Sequence, residues 1–198
     1  MQSHLEHAAM AANTGGRGRR LSPYLIEVRY WRYCLYRSYL NLISEASRYR
    51  LGWLWWFLEP VAMTAVFYIV FTFIRPRGED FIYFLIVGVT AWLWFSSGVG
   101  NATQSLLTAK NLIVQMTVPK LMFPAISAIT ASYKQAFVLA ILLVVVGTAS
   151  GPSAEWLALP LLLAVQFLLI VACAVTVAFL CAWLPDVRFI VVSGLQLT

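Results

Sequence analysis

The side chains that could carry chemistry are few in this sequence and form no catalytic pattern. The eight acidic residues are scattered, and only Glu79 and Asp80 are neighbours. His4 and His7 both lie near the N-terminus, so no His, Cys and carboxylate cluster has metal-site spacing. No Gly-Lys-Ser or Gly-Lys-Thr sequence occurs, which excludes a phosphate-binding loop. We therefore expect no catalytic residue, no metal site and no cofactor on this chain.

The composition indicates a membrane protein. Hydrophobic residues make up 61% of the 198 residues and charged residues only 11%, whereas a soluble domain carries about 25% charged residues. Eight of the 14 Lys and Arg residues precede position 51, which predicts a cytoplasmic N-terminus and argues against nucleic-acid binding. The three cysteines do not make a disulfide framework, and we interpret them as small buried hydrophobes.

The N-terminal part of the chain is predicted to contain a tail and one amphipathic helix. Residues 1–23 are polar and basic, which is typical of a disordered cytoplasmic tail. Residues 24–47 fit a helix that lies in the membrane interface. An ordinary amphipathic helix on a soluble core is the less favoured alternative. Its predicted apolar face contains Tyr24, Val28, Trp31, Leu35, Tyr39 and Leu42, with Arg29 and Arg37 on another face and Arg32 at the border.

The sequence of residues 51–198 predicts an all-α integral membrane fold. Four apolar runs, 51–74, 81–103, 125–147 and 156–183, are long enough to cross the bilayer. Residues 189–198 begin a fifth, so the chain is expected to be truncated at its C-terminus. The polar stretch 104–124 predicts a cytoplasmic loop that contains a short helix.

Charged and aromatic residues inside the first and third spans are open to more than one interpretation. Lys134 is expected either to snorkel or to face a polar interior, because an intramembrane Lys is costly. Glu59 is expected to pair with Arg48 or Arg50, and a role at a gate is the less favoured alternative. Headgroup-level tryptophans are predicted at positions 53, 55 and 56.

Five landmarks occur in a recognisable order. They are Arg48-Tyr-Arg-Leu-Gly-Trp-Leu-Trp-Trp-Phe-Leu-Glu-Pro60 with Tyr68 and Phe71 in the same span, Gly88-Val-Thr-Ala-Trp-Leu-Trp-Phe-Ser-Ser97, Asn111-Leu-Ile113, Phe123-Pro124, and Asp186-Val-Arg188. Over residues 24–198 the chain resembles the ABC-2 type (type V) exporter permeases that move surface polysaccharides such as O-antigen, capsule or wall teichoic acid.

The resemblance implies six spans and a channel formed by two permease chains in a bacterial inner membrane. Each chain would rest on a separate ATPase subunit that binds ATP and Mg. The cargo would be a lipid-linked glycan. Permeases for a drug or small lipid, or a membrane scaffold without transport activity, remain alternatives, and a membrane enzyme is disfavoured.

The resemblance also suggests roles for three groups of residues. The expected contact with the ATPase is Gln104, Leu107, Lys110, Asn111, Leu112, Ile113, Gln115 and Met116, together with the interface helix. Aromatic rings that could line the channel are Trp56, Phe67, Tyr68 and Phe71, although packing or contact with lipid would also explain them. A basic cluster that could meet the pyrophosphate headgroup, or simply anionic lipids, contains Arg29, Arg32, Arg48 and Arg50.

Overall fold

The computed structural model describes residues 23–48, 50–74, 81–109, 119–150 and 154–197. The chain divides into two compact units, Met1–Arg32 and Tyr33–Thr198. In the first unit, the described residues form the beginning of helix α1. The second unit contains the other helices. The predicted tail, the turn at 75–80 and most of the predicted coupling loop lie outside the described residues.

The described residues are almost entirely helical, which confirms the predicted all-α class. Four helices are long and apolar enough to cross a membrane. The elements in chain order are α1 (Pro23–Ala46), α2 (Leu54–Ile74), α3 (Phe81–Thr108), α4 (Met122–Ser150), a 3₁₀ turn (Ala154–Ala158), α5 (Leu159–Trp183) and α6 (Val187–Leu197). Pro124 lies in the first turn of α4, where its missing N–H is not needed for a helical hydrogen bond.

Helix α3 is the centre of the bundle, since it contacts α2, α4, α5 and α6. Small residues allow this close packing. Gly98 faces Ile170 of α5, and a Cβ built on Gly98 would come within 2.6 Å of the Ile170 Cγ2. Ala174 and Ala178, which continue the same face of α5, are fully buried. Polar groups also join the helices, because the Trp94 indole N–H donates to Ser132 Oγ at 3.3 Å.

The packed face of α1 shares only Leu42 with the apolar face that was predicted to meet the membrane interface. Within the second unit, the buried positions are Cys34, Ser38, Leu42 and Ala46, one residue on each successive turn. Small side chains at these positions let two helices approach closely. Tyr39, on the predicted membrane-facing side, is 49% exposed, and contact of that side with the membrane interface stays a prediction.

A tight turn connects α1 to α2. Gly52 has φ +50°, and no other residue of the described ranges has a positive φ. This left-handed conformation is costly for any residue that carries a Cβ. The Gly in Leu51-Gly-Trp53 therefore sets the angle at which the first span leaves α1.

Candidate functional site

A polar cavity of about 460 Å³ lies within the second unit. Five helices contribute to its wall: α1, α2, α3, α4 and α6. The lining side chains with polar or charged groups are Glu45, Trp55, Trp56, Glu59, Thr90, Trp94, Ser96, Ser97, Asn101, Gln104, Lys134, Gln135 and Gln196. Several of these belong to helices that could span a membrane, and polar groups at such depth usually mark a functional site.

Lys134 of α4 is neutralised inside this cavity. Its Nζ donates to the Glu45 carboxylate of α1 at 2.5 Å, and the same Nζ lies 6.0 Å from the centroid of the Trp56 ring. A cation is attracted to an indole face at this distance. Of the two predicted outcomes for Lys134, the structure shows the polar interior, because its side chain is only 15% exposed.

A second polar contact joins the same two helices. Ser38 is fully buried, and its hydroxyl lies 2.7 Å from the Cys34 carbonyl and 3.2 Å from the Ile126 carbonyl of α4. Helix α1 is thus held to α4 by a buried hydroxyl and by an ion pair seven residues further on. Burial of the neighbouring Cys34 raises the pKa of its thiol, so the thiol stays neutral at pH 7.

Trp56 is a core residue as well as a wall of the cavity. It is 5% exposed and packs in edge-to-face geometry against Trp53 and Phe137, with ring centroids 5.1 Å and 6.2 Å away. Burial within the bundle does not fix the depth of Trp56 in a membrane, so its predicted headgroup position stays a prediction. Trp53 and Trp55 keep 45% and 41% of their surface exposed and remain compatible with it.

Two hydrogen-bonding side chains in the cavity have no partner among the described residues. The Trp56 indole N–H is buried and donates to nothing. The amide of Gln135, a residue only 9% exposed, also makes no hydrogen bond within the described ranges. Pro60 follows Trp56 by four residues and has no N–H to donate to the Trp56 carbonyl. The Trp56 nitrogen has almost no accessible surface, so it faces packed protein and not the cavity, and of the two groups only the Gln135 amide is available to a polar occupant.

Glu59 does not make the predicted ion pair. Within the described ranges, the ion pair found is that of Lys134 with Glu45, and Glu59 is bonded to neither Arg48 nor Arg50. Its exposed carboxylate contributes instead to the cavity wall. All three side chains are exposed, and an exposed ion pair gains little free energy over solvation of each charge by water.

The other predicted channel residues lie away from the cavity. Phe67 and Tyr68 are each 36% exposed, and Phe71 is half-buried with its ring 5.8 Å from that of Phe81. None of the three lines the cavity, whereas Trp56 does. Their assignment to a channel stays a prediction.

The predicted ATPase contact is only partly within the described residues. Gln104 is exposed near the end of α3 and lines the cavity, and Leu107 is half-buried one turn later. The remaining predicted contacts, Lys110, Asn111, Leu112, Ile113, Gln115 and Met116, lie outside the described ranges. Helix α3 extends to Thr108, further than the predicted end of the span.

The predicted basic cluster is described in part. Arg48 and Arg50 are exposed at the α1–α2 turn, and Arg48 lines a second cavity of about 360 Å³ together with Asn41 and Asn101. Arg32 belongs to the first unit and is exposed, and the side chain of Arg29 lies outside the description. Their action as one cluster stays a prediction.

Sequence reasoning missed the cavity, although some of its residues were noticed one by one. The sequence pattern did not single out Gln135, Asn101 or Glu45, because each is a single polar residue within or beside an apolar run. The available signal was polar residues at helical spacing on one face of α3, at positions 97, 101 and 104.

The fold and the cavity together define a multi-pass α-helical membrane protein with a polar interior. Among the described residues no group of three or more His, Cys, Asp or Glu side chains could hold a metal ion.

Comparison with known proteins supports this class. No protein-family model matches the chain. The chain is 29% identical to the O-antigen export system permease protein RfbA of Myxococcus xanthus over 158 residues, which are 76% of this chain and 60% of that protein. Two permeases of the same name from Klebsiella pneumoniae are 28% and 27% identical over 75 and 74 residues, in each case 37% of this chain and 29% of the relative.

The predicted resemblance to ABC-2 type polysaccharide export permeases is therefore confirmed, and the chain is a homologue of O-antigen export permeases. It spans less than two thirds of the length of the curated relatives that it matches.

Proposed function

We propose that this chain belongs to the permease subunit of an ATP-driven exporter that moves a lipid-linked surface polysaccharide across a bacterial inner membrane. The observation that carries the proposal is the similarity over 76% of the chain to a permease named for O-antigen export. A polar cavity with walls from three of the four apolar helices supports it, because a transported polar chain needs a route that avoids lipid.

In this proposal the permease itself breaks no bonds, and the energy comes from a separate ATPase subunit that binds ATP and Mg. Two copies of the permease form the conducting unit. The N-terminus lies in the cytoplasm, as the basic residues before position 51 indicate. Gln104 and Leu107 at the end of α3, with the loop that follows, would meet the ATPase. The links from α1 to α4 would carry its motion into the spans.

A pull-down tests whether the permease binds a separate ATPase subunit. The complete natural protein, tagged and extracted in mild detergent, is expected to retain a roughly equimolar ATPase that carries a Walker motif. Mass spectrometry of the co-purifying proteins and a surface-glycan assay in cells that lack the gene are the measurements. A folded, dimeric preparation that repeatedly lacks the ATPase would favour a membrane scaffold. Retention of the ATPase with unchanged surface glycan would favour a drug or small-lipid permease.

A substitution at Tyr68 tests whether the glycan passes along the predicted channel residues. Tyr68→Ala is expected to slow glycan export several-fold without loss of assembly, because the C–H faces of sugar rings stack on aromatic faces. Tyr83→Ala is the matched control, since Tyr83 of α3 is 39% exposed against 36% for Tyr68. Export by Tyr68→Ala that equals that of the control would remove Tyr68 from the channel.

A further inference from the structure

We propose that two adjoining polar cavities of the second unit form a binding site for one phosphoethanolamine group, as it occurs in the headgroup of a membrane phospholipid. The larger cavity, of about 460 Å³, holds the ammonium, and the smaller, of about 360 Å³, holds the phosphate. Glu45 and Asn101 line both cavities, so the two are neighbours. The inference goes beyond the proposed function, because it does not depend on the cargo that the protein exports.

The larger cavity has an excess of one negative charge. The charged side chains that line it are Glu45, Glu59 and Lys134, so two carboxylates and one ammonium leave a net charge of −1. Lys134 pairs with Glu45, whereas Glu59 makes no side-chain hydrogen bond or ion pair among the described residues. An unpaired charge within a membrane span is costly, so this cavity is complementary to a cation.

A second, independent observation is the buried carboxamide of Gln135. Gln135 is 9% exposed, lines the larger cavity and has no hydrogen-bond partner for its side chain among the described residues. Buried polar groups are nearly always paired. A primary ammonium has three N–H donors and can donate to a carboxylate and to a carboxamide oxygen at once. A quaternary ammonium such as choline has none, which favours ethanolamine as the ligand.

The larger cavity already holds one primary ammonium in this way. Lys134 Nζ donates to the Glu45 carboxylate and lies 6.0 Å from the centroid of the Trp56 ring, which combines an ion pair with a cation–π contact. Trp55 also lines the cavity, and Glu59 follows it by four residues on α2. Residues four apart lie on the same face of a helix. A second carboxylate beside a second indole is therefore present for another ammonium.

The smaller cavity provides the complement to a phosphate. Because Glu45 is already paired with Lys134, Arg48 is the charge that remains in its wall. A guanidinium binds a phosphate through charge-assisted hydrogen bonds, and the Ser44 hydroxyl and the Asn41 carboxamide, which line the same cavity, can donate to the other oxygens. One carboxylate and one guanidinium thus remain in two neighbouring cavities, which matches a zwitterionic ligand.

The position of the two charges along the chain favours a membrane lipid as the source of the group. Arg48 comes shortly before the candidate span Leu54–Phe73, and Glu59 lies in the first part of that span. At 1.5 Å per residue, Glu59 is about 7.5 Å along the helix from Leu54. The headgroup layer on each side of the hydrocarbon core is roughly 5–7 Å thick. The site is therefore at the end of the span where lipid headgroups are found.

Lipid retention by the complete natural protein tests the site. The protein in mild detergent is mixed with equal amounts of dioleoyl phosphatidylethanolamine, phosphatidylcholine and phosphatidylglycerol, and the bound lipid is identified by native mass spectrometry. Retention of phosphatidylethanolamine is expected to exceed that of either other lipid about tenfold, the value of one hydrogen bond to a charged group. The three lipids share their acyl chains and a phosphate, so the comparison isolates the primary ammonium.

Substitutions separate the two halves of the site. Glu59→Gln is expected to reduce retention of phosphatidylethanolamine about tenfold and to leave the other two lipids unchanged. Arg48→Gln is expected to weaken retention of all three, since each has a phosphate. The matched controls are Asp186→Asn and Arg50→Gln, which neutralise exposed residues that line neither cavity. Both controls are expected to retain lipid as the wild type does.

Equal retention of the three lipids by the wild type overturns the site, and so does a Glu59→Gln variant that still prefers phosphatidylethanolamine. Equal losses in the controls and in Glu59→Gln also overturn it. Soluble O-phosphoethanolamine distinguishes the sources: displacement of the lipid shows that the group alone is sufficient, and retention that still requires Glu59 shows that the acyl chains contribute. Each of these two results supports the site. Its failure leaves the exporter intact, because the ATPase partner and the surface glycan test that function separately.

Discussion

Replacing Lys134 by Glu is expected to destabilise the protein by about 2–3 kcal/mol. The change removes the ion pair with Glu45 and sets two carboxylates against each other. Loss of one partner of a fully buried pair costs about 3–5 kcal/mol. We expect the smaller loss of about 2–3 kcal/mol because 37% of the Glu45 side chain is exposed and water screens part of the repulsion between the two carboxylates. The measurement is the apparent Tm of the complete natural protein in detergent, expected to fall by roughly 4–10 °C.

The reversed pair is the control for this prediction. Glu45→Lys alone is expected to lower the Tm as well, and the double variant Glu45→Lys with Lys134→Glu is expected to recover most of the loss. Lys120→Glu reverses a charge on an exposed residue just before α4 and should leave the Tm nearly unchanged. Additive losses in the double variant would mean that the two side chains do not interact in the natural protein.

Gly98→Ala is expected to destabilise the bundle by about 1–3 kcal/mol, the usual cost of overpacking a core. The new Cβ would lie 2.6 Å from Ile170 Cγ2. Ile170 is fully buried and β-branched, and a helix strongly favours a single rotamer for such a side chain. The helices α3 and α5 must therefore separate. Size-exclusion of a fluorescent fusion should show a smaller folded fraction and more aggregate.

Gly88→Ala tests whether the effect comes from packing or from glycine itself. Gly88 belongs to the same helix, and a Cβ there would meet nothing within 4 Å. Because Ala favours helix over Gly by about 1 kcal/mol, this variant is expected to be as stable as the wild type or more so. Equal losses at both positions would show that the close approach of α3 to α5 is not what makes Gly98 necessary.

The long helices were predictable from the sequence because a membrane span is specified by a local run of apolar residues. A run of about 20 apolar residues specifies a membrane span whatever lies around it, and α2, α3, α4 and the segment Trp156–Trp183 follow the predicted runs. The residues at which the helices end were less predictable. Helix α3 continues to Thr108, because its buried residues, including Ala102 and Leu106, still pack against α5.

The aromatic residues of α2 that were predicted for the channel show what a local pattern does not specify. Trp56 is buried in the bundle, whereas Phe67 and Tyr68 are exposed. Periodicity identifies residues that share a face. It does not say which neighbouring helix covers each part of that face.

The amino-acid sequence was sufficient to identify the class of molecule: an α-helical membrane protein with a basic N-terminal segment, and a resemblance that the relatives confirm. These properties depend on composition, run length and the order of motifs. The folded arrangement of the helices was needed to see that Glu45 neutralises Lys134 across 89 residues, and that Trp56 and Gln135 line one cavity. Both follow from helices that pack along small residues, and the position at which two helices meet is set by contacts that no local stretch of sequence contains.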